Sequence, residues 1–514
     1  MLQSVIPGGD TASRIDSVGD GGEDFATTAH RWPHQTAIVH NGIACTYREL
    51  EERVRAAASR CRAGEFIGVL VSHHPAVAEH LLGVLQAEAW YCPIDATLPD
   101  GRIKTLTNVL GVDRLFAAGP QLHDRPNLRI EAIGASARSA DAQLLQILQR
   151  GGPAYVLCTS GSTGKPKPVA VSRQALSATV HALRDLFELT TEDRVLQFAS
   201  LGWDTCLEEI LPALTAGAAL VFDDVAHCGS FPPFVRMLAE RKITVLDLPT
   251  AFWHELVLFL HEERATLPDS VRLVIIGGER VDPTRLRQWR DLDLERIRLL
   301  NTYGCTETTM ITHAVQLNGP DTEPGVVAEG AEAPIGRPLP HVRDYVTDEG
   351  ELLISGPGLA SGYLGLPELS DAAFPVVDHG GGPARWFHTG DLVTRGDGGL
   401  LYSRGRVDEQ LKIRGVRVHP AEVEAQLHTH PDVTGAVVVG EQSLVGTALV
   451  AYVVAARDIT SAEIKRYLRD RLPQQFVPAR VSFVKALAYT ASGKVDRVAT
   501  QRAFVDNSRT GTNR

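Results

Sequence analysis

The chain has no basic tract, no CxxC pair and no long apolar run, and each shortage removes a class of function. Its 51 lysines and arginines are outnumbered by 62 aspartates and glutamates, for a formal net charge of −11. Sequence-independent binding to nucleic acid or to an anionic membrane needs Lys and Arg to neutralise phosphates, so neither partner is expected. The 7 cysteines are odd in number and scattered, which reads as free thiols in a reducing compartment rather than a disulfide frame or a zinc site. No run of about 18 apolar residues exists to span a bilayer. The first residues also lack the basic start and apolar stretch of a signal peptide, so a soluble cytoplasmic protein is expected. Without internal repeats or low-complexity tracts, solenoid and fibrous folds drop out.

What is present is length and apolar content. A chain of 514 residues with 44% hydrophobic residues is too long for one core, so two or more domains are expected. Apolar runs such as Phe66–Val71, Ala154–Leu157, Ala218–Phe222, Val245–Leu248 and Leu273–Ile276 alternate with helical patterns, the texture of parallel α/β layers. Past residue 405 the runs shorten into a compact α+β unit. The expected fold is therefore α/β, with a large N-terminal domain of layered subdomains over 23–407 and a small mobile α+β C-terminal domain over 408–504. Residues 1–22 and 505–514 carry no sustained period and read as tails.

The densest local signal is Thr159-Ser-Gly-Ser-Thr-Gly-Lys-Pro-Lys167. Gly161 and Gly164 let the backbone approach a ligand, Ser160, Ser162 and Thr163 offer hydroxyls, and Lys165 supplies positive charge, a set suited to polyphosphate. It is no Walker loop, because the glycine spacing differs and Pro166 follows the lysine. Alone, such a loop reads equally as a surface turn. Its companions decide, and they follow in fixed order: Asn301–Thr309, Gly350–Gly358, His388–Asp391, Gly405–Gly415 and Ser492–Asp496.

Together these segments, from about Glu23 to Phe504, closely resemble the adenylate-forming superfamily, and within it the amino-acid adenylation domains of nonribosomal peptide synthetases. The resemblance implies ATP-dependent formation of an aminoacyl-AMP with release of pyrophosphate, then transfer to the phosphopantetheine thiol of a carrier protein in peptide natural-product (antibiotic) biosynthesis. No carrier segment follows Asp496, so the enzyme is expected to be free-standing and its carrier separate. The cofactors implied are ATP and Mg²⁺. By match to the family's motifs, Ser160 through Lys165 hold the leaving phosphates, Thr306 the α-phosphate and Glu307 the Mg²⁺. Tyr303 lies against adenine, bordered by Gly304, Asn301 and the Gly278–Glu279 turn. Asp391 takes the ribose hydroxyls with Arg406 beside it. Lys494 serves adenylation from the small domain, Asp408 is the hinge and Gly415 leaves room for the thiol. A small MbtH-like activator is a further family partner, for which this sequence carries no decisive signature. Cys305, Trp203 and Ala491 stand where the family usually has Pro, Phe and Pro, and none of them removes a reacting group.

The substrate pocket maps, by the same resemblance, onto Asp204, Thr205, Glu208, Ala251, Ile275, Gly277, Thr302, Met310 and Ile311. Asp204 matches the carboxylate that pairs with a substrate amino group, which points to an amino acid; an acyl-CoA synthetase acting on a simple acid is the alternative. Asp204 and Glu208 are spaced to share one helix face, with Cβ atoms about 5–6 Å apart. Two carboxylates there repel unless cations intervene. A diamino acid supplies both cations, and lysine, ornithine and β-lysine all qualify, the pocket most resembling β-lysine-activating members. The competing reading pairs Glu208 with solvent or a protein cation. Glu209 is expected to be structural.

Overall fold

The computed structural model describes residues 21–112, 114–119, 151–160, 166–326, 331–408, 410–413, 416–443, 446–488 and 497–509. Gly161 through Lys165, Gly415, Ala491 and Lys494 therefore lie outside the described residues. Two compact units emerge, the first comprising 1–96, 107–157 and 168–407, the second 97–106, 158–167 and 408–514.

The first unit is built on three large sheets and a two-stranded one. The largest has nine strands in the order Arg337–Pro338, Ile311–Asn318, Arg298–Gly304, Leu273–Gly277, Val245–Pro249, Arg194–Leu196, Ala219–Phe222, Thr36–His40 and Ile43–Thr46. Its central pairings are parallel and its outer ones antiparallel. Parallel strands are buried on both faces, which is why their sequences read as continuous apolar runs. Alternation then sorts their side chains between two cores: Val245, Leu273, Ile275 and Leu300 join one, and Leu246, Leu248, Val274, Ile276 and Leu299 the other. A six-stranded sheet includes Phe66–Val71, Trp90–Asp95 and Pro153–Thr159, and a four-stranded antiparallel sheet carries Phe387–Arg395 beside Leu401–Arg406.

The second unit holds the antiparallel pair Val433–Ser443 and Gly446–Ala455, with Arg480–Phe483 added parallel. Helices Pro420–His428 and Ser461–Arg469 accompany it. Thr460 and Glu463 form a capping box on the latter, each satisfying an amide the helix end would leave unbonded. His419 accepts a bond from the Ala421 amide at 3.2 Å, so its ring caps a helix. A last helix, Arg497–Arg509, runs into the segment that composition marks as a tail.

Candidate active site

The segment after strand Arg298–Gly304 folds back on itself so tightly that Gly304 admits no side chain: a Cβ there would stand 1.8 Å from the Met310 carbonyl oxygen. Thr309 and Met310 both take left-handed backbone, at φ 57° and 68°. This hairpin puts Tyr303, Thr306 and Glu307 close in space, all buried. The Tyr303 hydroxyl donates to Asp391 Oδ2 at 2.6 Å and Arg406 Nη1 to Oδ1 at 2.6 Å. The Asp391 amide meanwhile bonds Thr389 Oγ1. Asp391 and Arg406 are direct partners in the strand register, so backbone pairing sets up the ion pair. Three of the residues matched to nucleotide contacts thus form one bonded set. Glu307 accepts from the Tyr363 hydroxyl at 3.2 Å, and its carbonyl bonds the Ala360 amide. Asn301 turns its amide to the Pro334 carbonyl at 2.7 Å. Gly278, at φ 87°, makes the turn that Glu279 continues. Ser160 donates to the Arg417 carbonyl at 3.0 Å within the second unit.

The second cluster stands on helix Thr205–Ala216, which Asp204 precedes without capping it through its side chain. Neighbouring glutamates meet different fates. Glu209 is fixed by the Phe198 and Ala199 amides, both at 2.9 Å, and by Gln197 Nε2 at 3.0 Å, so it ties the preceding turn to the helix. Glu208 is also buried but faces Asp247 at hydrogen-bonding range, and the strongest charges acting on it among the described residues are the carboxylates of Asp247, Asp204 and Glu209. Burial first, then the neighbouring carboxylates, push its pKa well above the ordinary carboxyl range. Burial raises Asp247 too, and Asp247 Oδ2 has no hydrogen-bond partner among the described residues.

Asp247 is the residue that reading the sequence missed. It lies on the same strand face as Val245 and pairs in register with Ile275, while Gly277 pairs with Thr302 one row on. Thr302 bonds the Ile276 carbonyl at 3.0 Å, and a Cβ on Gly277 would come within 2.6 Å of its Oγ1. The signal was an acidic residue alternating with leucines inside a central strand. Ala251 lies past that strand, in the first turn of helix Thr250–Glu263. Met310 and Ile311 are buried, whereas Thr205 is exposed.

Most of the chain is similar to known proteins. The AMP-binding enzyme family matches residues 25–364, and the AMP-binding enzyme C-terminal domain matches 422–494. The isonitrile lipopeptide synthase of Streptomyces coeruleorubidus is 39% identical over 474 residues, covering 90% of this chain and 32% of that protein. The dimodular nonribosomal peptide synthase of Bacillus subtilis (strain 168) is 34% identical over 523 residues, covering 93% and 21%. The chain thus spans about a third or less of the length of these relatives. In fold it is similar to the fused adenylation–PCP di-domain NpsA-ThdA from Klebsiella oxytoca (TM-score 0.76, 23% identity, 90% of this chain and 94% of that one). It is also similar to the amide bond synthetase McbA from Marinactinospora thermotolerans (TM-score 0.77, 23% identity, 95% and 100%).

Proposed function

Because the chain belongs to the AMP-binding enzyme family, we propose that it adenylates an amino acid carrying two amino groups and passes it to a carrier-borne phosphopantetheine thiol. The observation that carries the substrate is the facing pair Glu208 and Asp247, with Asp204 nearby on the same helix. Among the described residues the strongest charges acting on Glu208 are all carboxylates, and two ammonium groups relieve the repulsion between them. Asp204 takes the amine nearer the reacting carboxylate, and Glu208 with Asp247 takes the distal one. Lysine, ornithine and β-lysine fit; a simple acid offers no amine to Asp204.

In the reaction, an oxygen of the substrate carboxylate attacks the α-phosphorus of ATP and the bond to pyrophosphate breaks. The thiol then attacks the acyl carbon and AMP leaves. Held by Tyr303 and Arg406, Asp391 presents a fixed carboxylate to the ribose hydroxyls, which positions the α-phosphate for in-line attack. Thr306 donates to that phosphate. Glu307 fits magnesium in the way magnesium is ordinarily held, by one carboxylate with phosphate oxygens and water completing the shell. Among the described residues no cluster of three or more His, Cys, Asp and Glu forms a cage. Bound beside Glu307, the ion would supply charge neutralisation on the phosphates. Ser160 through Lys165 grip the leaving phosphates, and Lys494 approaches the substrate carboxylate; both roles rest on their motifs.

ATP–pyrophosphate exchange over a panel of proteinogenic and β-amino acids tests the activity. Exchange with a diamino acid supports it, and exchange with no amino acid refutes it.

A further inference from the structure

Tyr155 belongs to none of the motifs above. It sits in strand Pro153–Thr159, is fully buried, and its hydroxyl has no hydrogen-bond partner among the described residues. Burial weighs most on that hydroxyl, and of the charged groups near it Asp204 comes first, then Glu208. The Thr309 hydroxyl lies next to it and is equally buried and unpartnered. Thr309 also holds φ 57° and ψ 74°, a conformation that a β-branched residue adopts only when its surroundings impose it.

Two fully buried hydroxyls that have at most each other as partners, beside an acidic pair, are under-satisfied. An ammonium ion changes that. It carries three N–H donors and, once desolvated, needs an acceptor for each; Asp204 alone serves only part of the set. We propose that Tyr155 is a substrate-binding residue whose oxygen accepts a hydrogen bond from the amino group paired with Asp204, while its own proton is donated to Thr309 Oγ1. Burial and the neighbouring carboxylates hold the phenol far above its usual acidity range, so the hydroxyl keeps the proton it donates. The inference rests on Asp204 taking the substrate amine.

Tyr155→Phe deletes one oxygen whose sole neighbouring hydroxyl among the described residues is Thr309, so Tm should change little. In pyrophosphate exchange the KM for the preferred amino acid should increase about ten- to a hundredfold, the range for a hydrogen bond to a charged group, with the KM for ATP unchanged. Thr309→Val should show a smaller loss of the same kind. 6-Aminohexanoate keeps the carboxylate and distal amine but lacks the amine that faces Asp204, so it should inhibit wild type and Tyr155→Phe equally. An unchanged amino-acid KM overturns the proposal. So does a parallel rise of both KM values with a lower Tm, which marks a purely structural tyrosine, and so does weaker inhibition of the variant by 6-aminohexanoate. Exchange with no amino acid removes the Asp204 reading and this inference together. Preference for a neutral amino acid removes only the distal pairing, since that substrate carries the same amine and the Tyr155→Phe comparison runs unchanged.

Discussion

Glu208 and Asp247 hold the account of specificity, and each makes a measurable prediction. Glu208→Gln should weaken use of a diamino substrate by about 2–5 kcal/mol, the usual cost of leaving one buried charge of a pair unpaired, while neutral amino acids lose nothing or gain. Steady-state exchange kinetics with lysine and norleucine check this; an equal loss for both contradicts it. Asp247→Asn reads the same repulsion through stability. The folded protein binds these protons more tightly than the unfolded chain does. Stability of the empty enzyme therefore falls as pH rises from about 4, the ordinary carboxyl value, through about 7, where burial places Asp247. Removing that carboxyl should raise Tm at pH 8, with the gain shrinking toward pH 4. A gain independent of pH contradicts the linkage. Glu208 was legible in the sequence from its match to the family's pocket positions, to which the i, i+4 spacing from Asp204 added. Asp247 was not, because only the register of its strand against Leu273–Gly277 shows that it joins Ile275 rather than the opposite core.

At the scale of elements, one helix carries in consecutive positions a glutamate that ties the structure together and the glutamate proposed to bind substrate. Glu209 accepts three bonds that bind segment 197–199 to helix Thr205–Ala216. Glu209→Ala strands two buried amides and should cost about 3 kcal/mol of stability, read as a lower denaturation midpoint. Glu208→Ala should cost much less, since it relieves repulsion; the reverse order contradicts the division of roles. The Gly304 hairpin makes a similar point about what motifs conceal. Its glycine, threonine and glutamate were readable as a nucleotide signature, but the return of Met310 onto Gly304 depends on two consecutive left-handed residues, Thr309 and Met310, that no propensity argument anticipates. The alternation of strand and helix patterns was readable, since parallel strands advertise themselves as apolar runs.

For the whole molecule, the order of motifs along the chain announced the family before any geometry, because six segments in sequence specify more than any one of them. The last of the chain's crossings from the first unit to the second falls between Val407 and Asp408. If Asp408 is the hinge, Asp408→Pro, which fixes φ near −65°, should impair adenylation and thiol transfer unequally; unchanged rates for both remove it from that role. Lys494→Ala should abolish most pyrophosphate exchange while transfer from supplied aminoacyl-adenylate is much less affected, and equal loss of both half-reactions contradicts the assignment. The central claim is the pairing of two substrate cations with Asp204 and with Glu208 and Asp247, and wild-type exchange measured side by side with lysine, ornithine, β-lysine and norleucine tests it most directly. The account predicts that a diamino acid is preferred and that norleucine, which strands the distal carboxyl pair without a cation, is rejected; preference for norleucine or another neutral amino acid over all three would contradict it.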